Sequence, residues 1–205
     1  MLDQDYRYRL RYLWDDGFKI KWGILRYLVQ ACSYLYPYRL LDLGCGPITI
    51  KDYLVPRDLK LYVGVDHNDP IIHERESGDG IYLLGKIEHL KGEELKKKFG
   101  KFNIIFWAGI GLGYARWKTV LNNIMPCLEE RGIIILEYHD NGVNIQDRIK
   151  GVSNIRHVNG LRYDLDYVPA AHMPNNPTVY KRRAEVFMKQ WGAVFTTAGT
   201  QGTIG

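Results

Sequence analysis

Cysteine is scarce in this chain of 205 residues, and long apolar runs are absent. Only Cys32, Cys45 and Cys127 occur, an odd number, widely spaced, with no CxxC pair. That usage argues against a disulfide framework or a thiolate zinc site, and a reducing cytoplasm is the expected compartment. No apolar stretch approaches the roughly 20 residues of a membrane span, so no membrane partner is expected. The opening Met1-Leu2-Asp3-Gln4-Asp5 is acidic and lacks the basic-then-apolar pattern of a secretion signal. No repeat, low-complexity tract or Pro/Gly/Ser linker divides the chain, and its length suits a single domain.

What is present is ordinary in bulk and unusual in detail. Hydrophobic residues make up 46% and charged residues 25%, values that suit a soluble globular protein. The net charge of +5, with a pI near 9.0, favours an anionic partner such as nucleic acid without requiring one. Tyrosine is frequent, at 15 residues, and crowds the first forty positions. The stretch Tyr6-Arg7-Tyr8-Arg9-Leu10-Arg11-Tyr12-Leu13-Trp14 suits either a surface that stacks on a nucleic-acid strand or a cap over a cofactor. A cap over the cofactor is expected.

A helix is expected from Phe18 to Tyr34, with Ile24, Leu25, Leu28, Val29 and Cys32 on its buried face. After Pro37, strands and helices alternate. Strands are expected at Arg39–Leu43, Leu61–Val65, Ile81–Leu84, Phe102–Trp107 and Ile133–Glu137. Helices are expected at Ile48–Leu54, Gly92–Phe99 and Trp117–Leu128. That alternation implies an α/β fold with a mostly parallel sheet and right-handed crossovers. From Tyr138 to Asn175 the pattern breaks down into turn signals such as Val158-Asn159-Gly160. Asn176-Pro177 then reads as an N-cap and first helical proline, opening a helix to Trp191. On this reading Lys181-Arg182-Arg183 lies on a solvated helix face, and a last strand follows at Ala193–Thr197.

The most informative stretch is Leu40-Leu41-Asp42-Leu43-Gly44-Cys45-Gly46-Pro47. A buried strand ends in an acid and two glycines, as a tight turn needs if backbone is to approach a ligand. Asp66 closes the next apolar run, which is nucleoside-binding geometry. A dinucleotide fingerprint needs a third glycine where this chain has Thr49. Instead, Asp42–Pro47 resembles motif I of class I S-adenosylmethionine-dependent methyltransferases. Val63-Gly64-Val65-Asp66, Leu84-Gly85-Lys86-Ile87-Glu88, Phe102–Ala108 and Met125–Ile135 resemble that family's later landmarks, in order. The resemblance covers about residues 38–138.

The resemblance implies a Rossmann-like, mostly parallel, seven-stranded sheet with helices on both faces and an N-terminal helical, tyrosine-rich cap. It divides the domain into the cap (1–36), a cofactor-binding half (38–138) and a substrate-side half (139–205). It implies S-adenosyl-L-methionine as cofactor, with Gly44, Cys45 and Gly46 under the methionine part and Asp42 near its ammonium. Asp66 would take both ribose hydroxyls, since a carboxylate accepts two donors. His67, Lys86 and Ile87 would lie about the adenine, and Trp107 and Ala108 beside the sulfonium. Many family members carry a glycine in place of Ile48 and an acid in place of Lys86, and a lysine cannot accept the adenine amino hydrogens.

Methyl transfer needs an aligned nucleophile and often a base. Glu137 and His139 are the candidates, at the carboxyl end of strand five. With Asp140 they make a poor metal site, because successive residues on an extended chain point to opposite sides. The residues after strand four do not form the Asp/Asn-Pro-Pro-Tyr/Phe motif of amino-directed nucleic-acid methyltransferases. Pro126-Cys127 imitates the cytosine-C5 enzymes but precedes strand five, where a buried cysteine is expected. Gly109–Gly113 suits an active-site rim or a plain connection. The acceptor, an O or N nucleophile of a small molecule or a nucleic acid, stays open. The alternative is an inactive methyltransferase-like binding subunit.

Overall fold

A seven-stranded sheet with strand order β3-β2-β1-β4-β5-β7-β6 organises the described residues of the computed structural model. Those residues are 16–46, 49–68, 80–110, 116–139, 144–152, 154–167 and 180–190. The helices are α1 (Asp16–Ala31), α2 (Gly92–Phe99), α3 (Trp117–Ile124) and α4 (Ile145–Ile149). The strands are β1 (Tyr38–Leu43), β2 (Leu59–Asp66), β3 (Ile81–Leu84), β4 (Phe102–Ile110), β5 (Leu128–His139), β6 (Ile155–Tyr167) and β7 (Tyr180–Lys189). β3, β2, β1, β4 and β5 run parallel, while β7 is antiparallel to both β5 and β6.

Alternation along each strand divides the core in two, because successive side chains point to opposite faces. Leu40, Ile104, Phe106, Ile133 and Ile135 face α1, whose Trp22, Leu25, Leu28 and Val29 pack on them, with Cys32 just past its end. Leu41, Leu43, Ile105, Trp107, Ile134 and Leu136 face the other way, against α2, α3 and α4. With both faces covered, the central strands read as continuous apolar runs. The expected buried face of α1 is present except that Ile24 is only half-buried, and the helix stops at Ala31.

Several expected elements differ. The expected helix at Ile48–Leu54 is a single 3₁₀ turn over Ile50–Tyr53. The helix expected to reach Leu128 ends at Ile124, and a 3₁₀ turn at Met125–Cys127 leads into β5. The expected irregular region from Tyr138 contains α4 and the 13-residue β6. Asn159-Gly160 is no turn; it lies within β6, where the register shifts between His157 and Arg162. Such a bulge absorbs extra residues without ending the strand.

The largest correction concerns the helix expected from Pro177 to Trp191. Tyr180–Lys189 is strand β7, inserted between β5 and β6. Lys, Arg, Ala, Glu and Met favour helix in isolation, but burial in the sheet overrides a weak local preference. Ala184, Val186 and Phe187 are all buried there. Arg182 is buried as well, not on a solvated face. The tyrosine-arginine stretch 6–14, Ile48, and the expected strand 193–197 lie outside the described residues. No helix among the described residues is long and apolar enough to cross a membrane.

Candidate functional site

The turn after β1 is built on two glycines in the left-handed region, Gly44 at φ +66° and Gly46 at φ +60°. The backbone N–H groups of Gly44 and Cys45 both donate to the Val65 carbonyl, at 2.8 and 3.0 Å. Gly46 N–H donates to Asp66 Oδ2 at 3.0 Å, and Asn68 N–H donates to Asp66 Oδ1 at 2.9 Å. Asp66 thus clamps the turn to the tip of β2 through Gly46 and holds its own following loop through Asn68, hydrogen bonds to a carboxylate of about 1.5–3 kcal/mol each. Its own carbonyl accepts from Gly85 N–H at 2.8 Å, which brings the loop after β3 alongside.

These loops bound a cavity of about 600 Å³ at the carboxyl ends of the parallel strands. Open α/β sheets bind ligands there, and the volume suits a small-molecule site. Gly44, Asp66, His67, Lys86, Ile87, Trp107 and Ala108, seven of the residues singled out in the sequence, line it together. A Cβ added at Gly44, Gly85 or Gly109 would meet nothing within 4 Å, so each glycine leaves space beside the backbone. Sequence reasoning missed His89 and Arg116 as lining residues; Glu88 stood within the adenine-loop motif and Ile110 within the candidate rim Gly109–Gly113.

Four candidates do not line the cavity. Cys45 is buried, its Sγ so close to Gly64 that a Cβ there would approach it to 3.0 Å. Gly46 contributes its N–H to Asp66 instead. Asp42 is buried under the turn and accepts from the Tyr62 hydroxyl at 2.7 Å. Burial pushes its carboxyl up to about 7, against the pull of that hydrogen bond.

Glu137 is the fourth, and its surroundings argue against a free base. It is fully buried, and both its oxygens accept hydrogen bonds from the Arg182 guanidinium, Oε1 from Nε and Oε2 from Nη2. Oε2 also accepts from Gly109 N–H at 2.6 Å. The pairing explains why. Trp107 stands opposite Leu136 and Ile110 opposite Tyr138, so Ala108 and Gly109 together face Glu137 alone. Gly109 takes up the extra residue at φ +75°, and the Glu137 carboxylate satisfies the amide that the bulge frees. Glu137 and Arg182 therefore hold the cavity wall in shape. Only the alternation of Ala184, Val186 and Met188 in the sequence hinted that Arg182 sits on a strand. His139 ends β5 opposite Arg182, and its side chain lies outside the described residues.

On the other face of β5, the Tyr138 hydroxyl donates to Glu185 Oε1 at 2.6 Å, and His157 Nε2 lies 3.0 Å from Glu185 Oε2. Cys127 Sγ donates to the Ile124 carbonyl, and burial pushes its thiol up to about 12. It stays protonated and is not a nucleophile. Among the described residues no cluster of three or more His, Cys, Asp or Glu could hold a metal ion.

No protein-family model and no curated protein matches this chain. Solved structures do. The chain is similar to magnesium protoporphyrin IX methyltransferase (ChlM) from Synechocystis PCC 6803 with bound SAM, at 12% identity and TM-score 0.61, over 85% of this chain and 80% of that one. It is similar to the N-methyltransferase NodS from Bradyrhizobium japonicum WM9 in complex with S-adenosyl-L-homocysteine, at 14% identity and TM-score 0.61, over 91% and 99%. The [4+2]-cyclase SpnF also matches, at 13% identity and TM-score 0.55, over 76% and 75%. The fold is that of class I S-adenosylmethionine-dependent methyltransferases. A fold hosts more than one chemistry, so the activity has to be argued from the site.

Proposed function

We propose that this protein is a methyltransferase that uses S-adenosyl-L-methionine to methylate an O or N nucleophile. One observation carries the reading: Asp66 clamps the glycine turn at the mouth of a cavity lined by Gly44, Ile87 and Trp107. The donor set fits the cofactor. Each Asp66 oxygen accepts one backbone amide and has a second lone pair for a ribose hydroxyl, although Oδ1 also lies 3.4 Å from His67 Nδ1, a contact the hydroxyl would replace. Ile87 offers an apolar face to the adenine, with His67 and Lys86 beside it. Gly44 exposes backbone to the methionine part. Trp107 and Ala108 flank the reacting end, and Gly109 shapes the wall next to them.

When bound, the cofactor would supply an electrophilic methyl group on a sulfonium, to be taken by a lone pair of the acceptor. The chain's part is alignment and exclusion of water. Glu137 and Arg182 act as positioning residues through Gly109. His139 is the remaining base candidate, at the carboxyl end of β5. Asp42 acts from beneath the turn, through its shape, and touches the cofactor only through water.

Calorimetric titration with S-adenosyl-L-homocysteine tests the cofactor, and no binding at millimolar concentration overturns the reading. Radiolabelled methyl from S-adenosyl-L-methionine, followed into separated RNA, DNA, protein and metabolite pools, tests turnover. Binding without label in any pool would favour the inactive subunit.

A further inference from the structure

Tyrosines and arginines line a seam between α1 and the edge strand β6. Tyr27 of α1 is 56% exposed and stands edge-on to Tyr163 of β6, with ring centroids 6.1 Å apart. Past the end of α1, Tyr34 is 52% exposed, with the Arg131 guanidinium 5.9 Å from its ring centroid. Burial and Cys32 raise the Tyr34 phenol, while Arg131 and Arg156 both oppose them, so both guanidiniums bear on one ring. Arg131 and Arg156 are themselves exposed.

Register puts these groups on one face. Arg156 pairs with Met188 and Tyr163 with Ala184, and both partners belong to the core beneath α1. Ala184 in turn stands opposite Glu137. The seam therefore runs from the start of β6 up to the level of Glu137, which shapes the cavity wall. Met188 and Ala184 are four residues apart on β7, the bulge taking up the extra residues of β6, so the seam is about 13 Å long, enough for about four nucleotides at a stacked rise of roughly 3.4 Å.

We propose that this seam binds single-stranded nucleic acid and leads it toward the cavity. Exposed tyrosine rings stack on bases of any sequence, since every base has a π-face. Arg131 and Arg156 neutralise phosphates, in keeping with the net charge of +5. That the strand is also the methyl acceptor rests on the function proposed above; the binding does not.

Fluorescence anisotropy with labelled 12-mers of oligo(U) RNA, oligo(dT) and a duplex tests the seam, beside calorimetry with S-adenosyl-L-homocysteine. The wild-type protein should bind a single strand, more weakly as salt rises. Tyr34→Ala and Arg156→Ala should each weaken binding about tenfold, and Tyr34→Trp should preserve it, with S-adenosyl-L-homocysteine affinity unchanged in all three. Tighter binding of RNA or of DNA supports the seam and identifies its strand. The proposal is overturned if neither single strand binds at about 50 mM salt, if the alanine variants bind like wild type, or if the duplex binds as tightly. Strand binding without S-adenosyl-L-homocysteine binding refutes the methyl-transfer reading and leaves the seam standing; the reverse result refutes the seam alone.

Discussion

Gly46 donates its backbone N–H to Oδ2 of Asp66 at 3.0 Å, a side-chain bond across 20 residues of chain that adds to the two backbone bonds from Gly44 and Cys45 to Val65 in joining the tips of β1 and β2. The carboxylate that the nucleoside reading assigns to the ribose also fixes the turn beneath it. The proposed ribose recognition and the observed backbone shape therefore rest on the same carboxylate.

Replacing Asp66 should reveal both roles. Asp66→Ala should weaken S-adenosyl-L-homocysteine binding by about 1–3 kcal/mol, because buried donors lose their acceptor. Calorimetry measures it, and an unchanged affinity removes Asp66 from the site.

Gly44→Ala separates strain from occupancy. An alanine at φ +66° costs about 1–2 kcal/mol of stability, with no clash within 4 Å. Its methyl group would stand where the cofactor's methionine part is proposed to lie. Urea denaturation should show that modest loss, while S-adenosyl-L-homocysteine affinity falls by more. Equal binding by the variant would move the cofactor away from Gly44.

The buried pair of Glu137 and Arg182 should tolerate joint replacement better than single loss. Arg182→Met leaves a carboxylate at 0% exposure without its counter-charge and should cost about 3–5 kcal/mol. Adding Glu137→Gln should recover part of that, since the amide oxygen still accepts from Gly109 N–H. A double variant no more stable than Arg182→Met would contradict the pairing.

Asp42 gives stability a pH dependence with a defined sign. Its carboxyl is raised from 3.8 to about 7 in the fold, so the folded state holds a proton that the unfolded chain has released. That contribution is fully present below about pH 4 and is lost as pH rises through about 7. The stability of wild type relative to Asp42→Asn should therefore fall across that window, by an amount on the order of a few kcal/mol. Denaturation of both proteins from pH 4 to 8 measures it; a flat difference rules out a buried, protonated Asp42.

The glycine turn, Asp66 and the five parallel strands were legible because their signals are local. Val63, Val65, Ile105 and Ile134 are apolar in short runs that only a covered strand accommodates, and Gly44 and Gly46 punctuate the chain where φ turns positive. Tyr180–Lys189 was not legible, because its composition favours helix and its true neighbours, β5 and β6, are distant in sequence. Burial between two strands decided its state. That insertion also turned Arg182 from an apparent surface charge into the partner of Glu137, and turned Glu137 from a candidate base into the support of Gly109. The sequence by itself determined the α/β framework and the turn that opens the cavity, since turn chemistry and strand periodicity reside in consecutive residues. Only the tertiary structure decided that Glu137 is held by Arg182 and Gly109, because a side chain's charge partner is set by strand order and register, which consecutive residues do not encode.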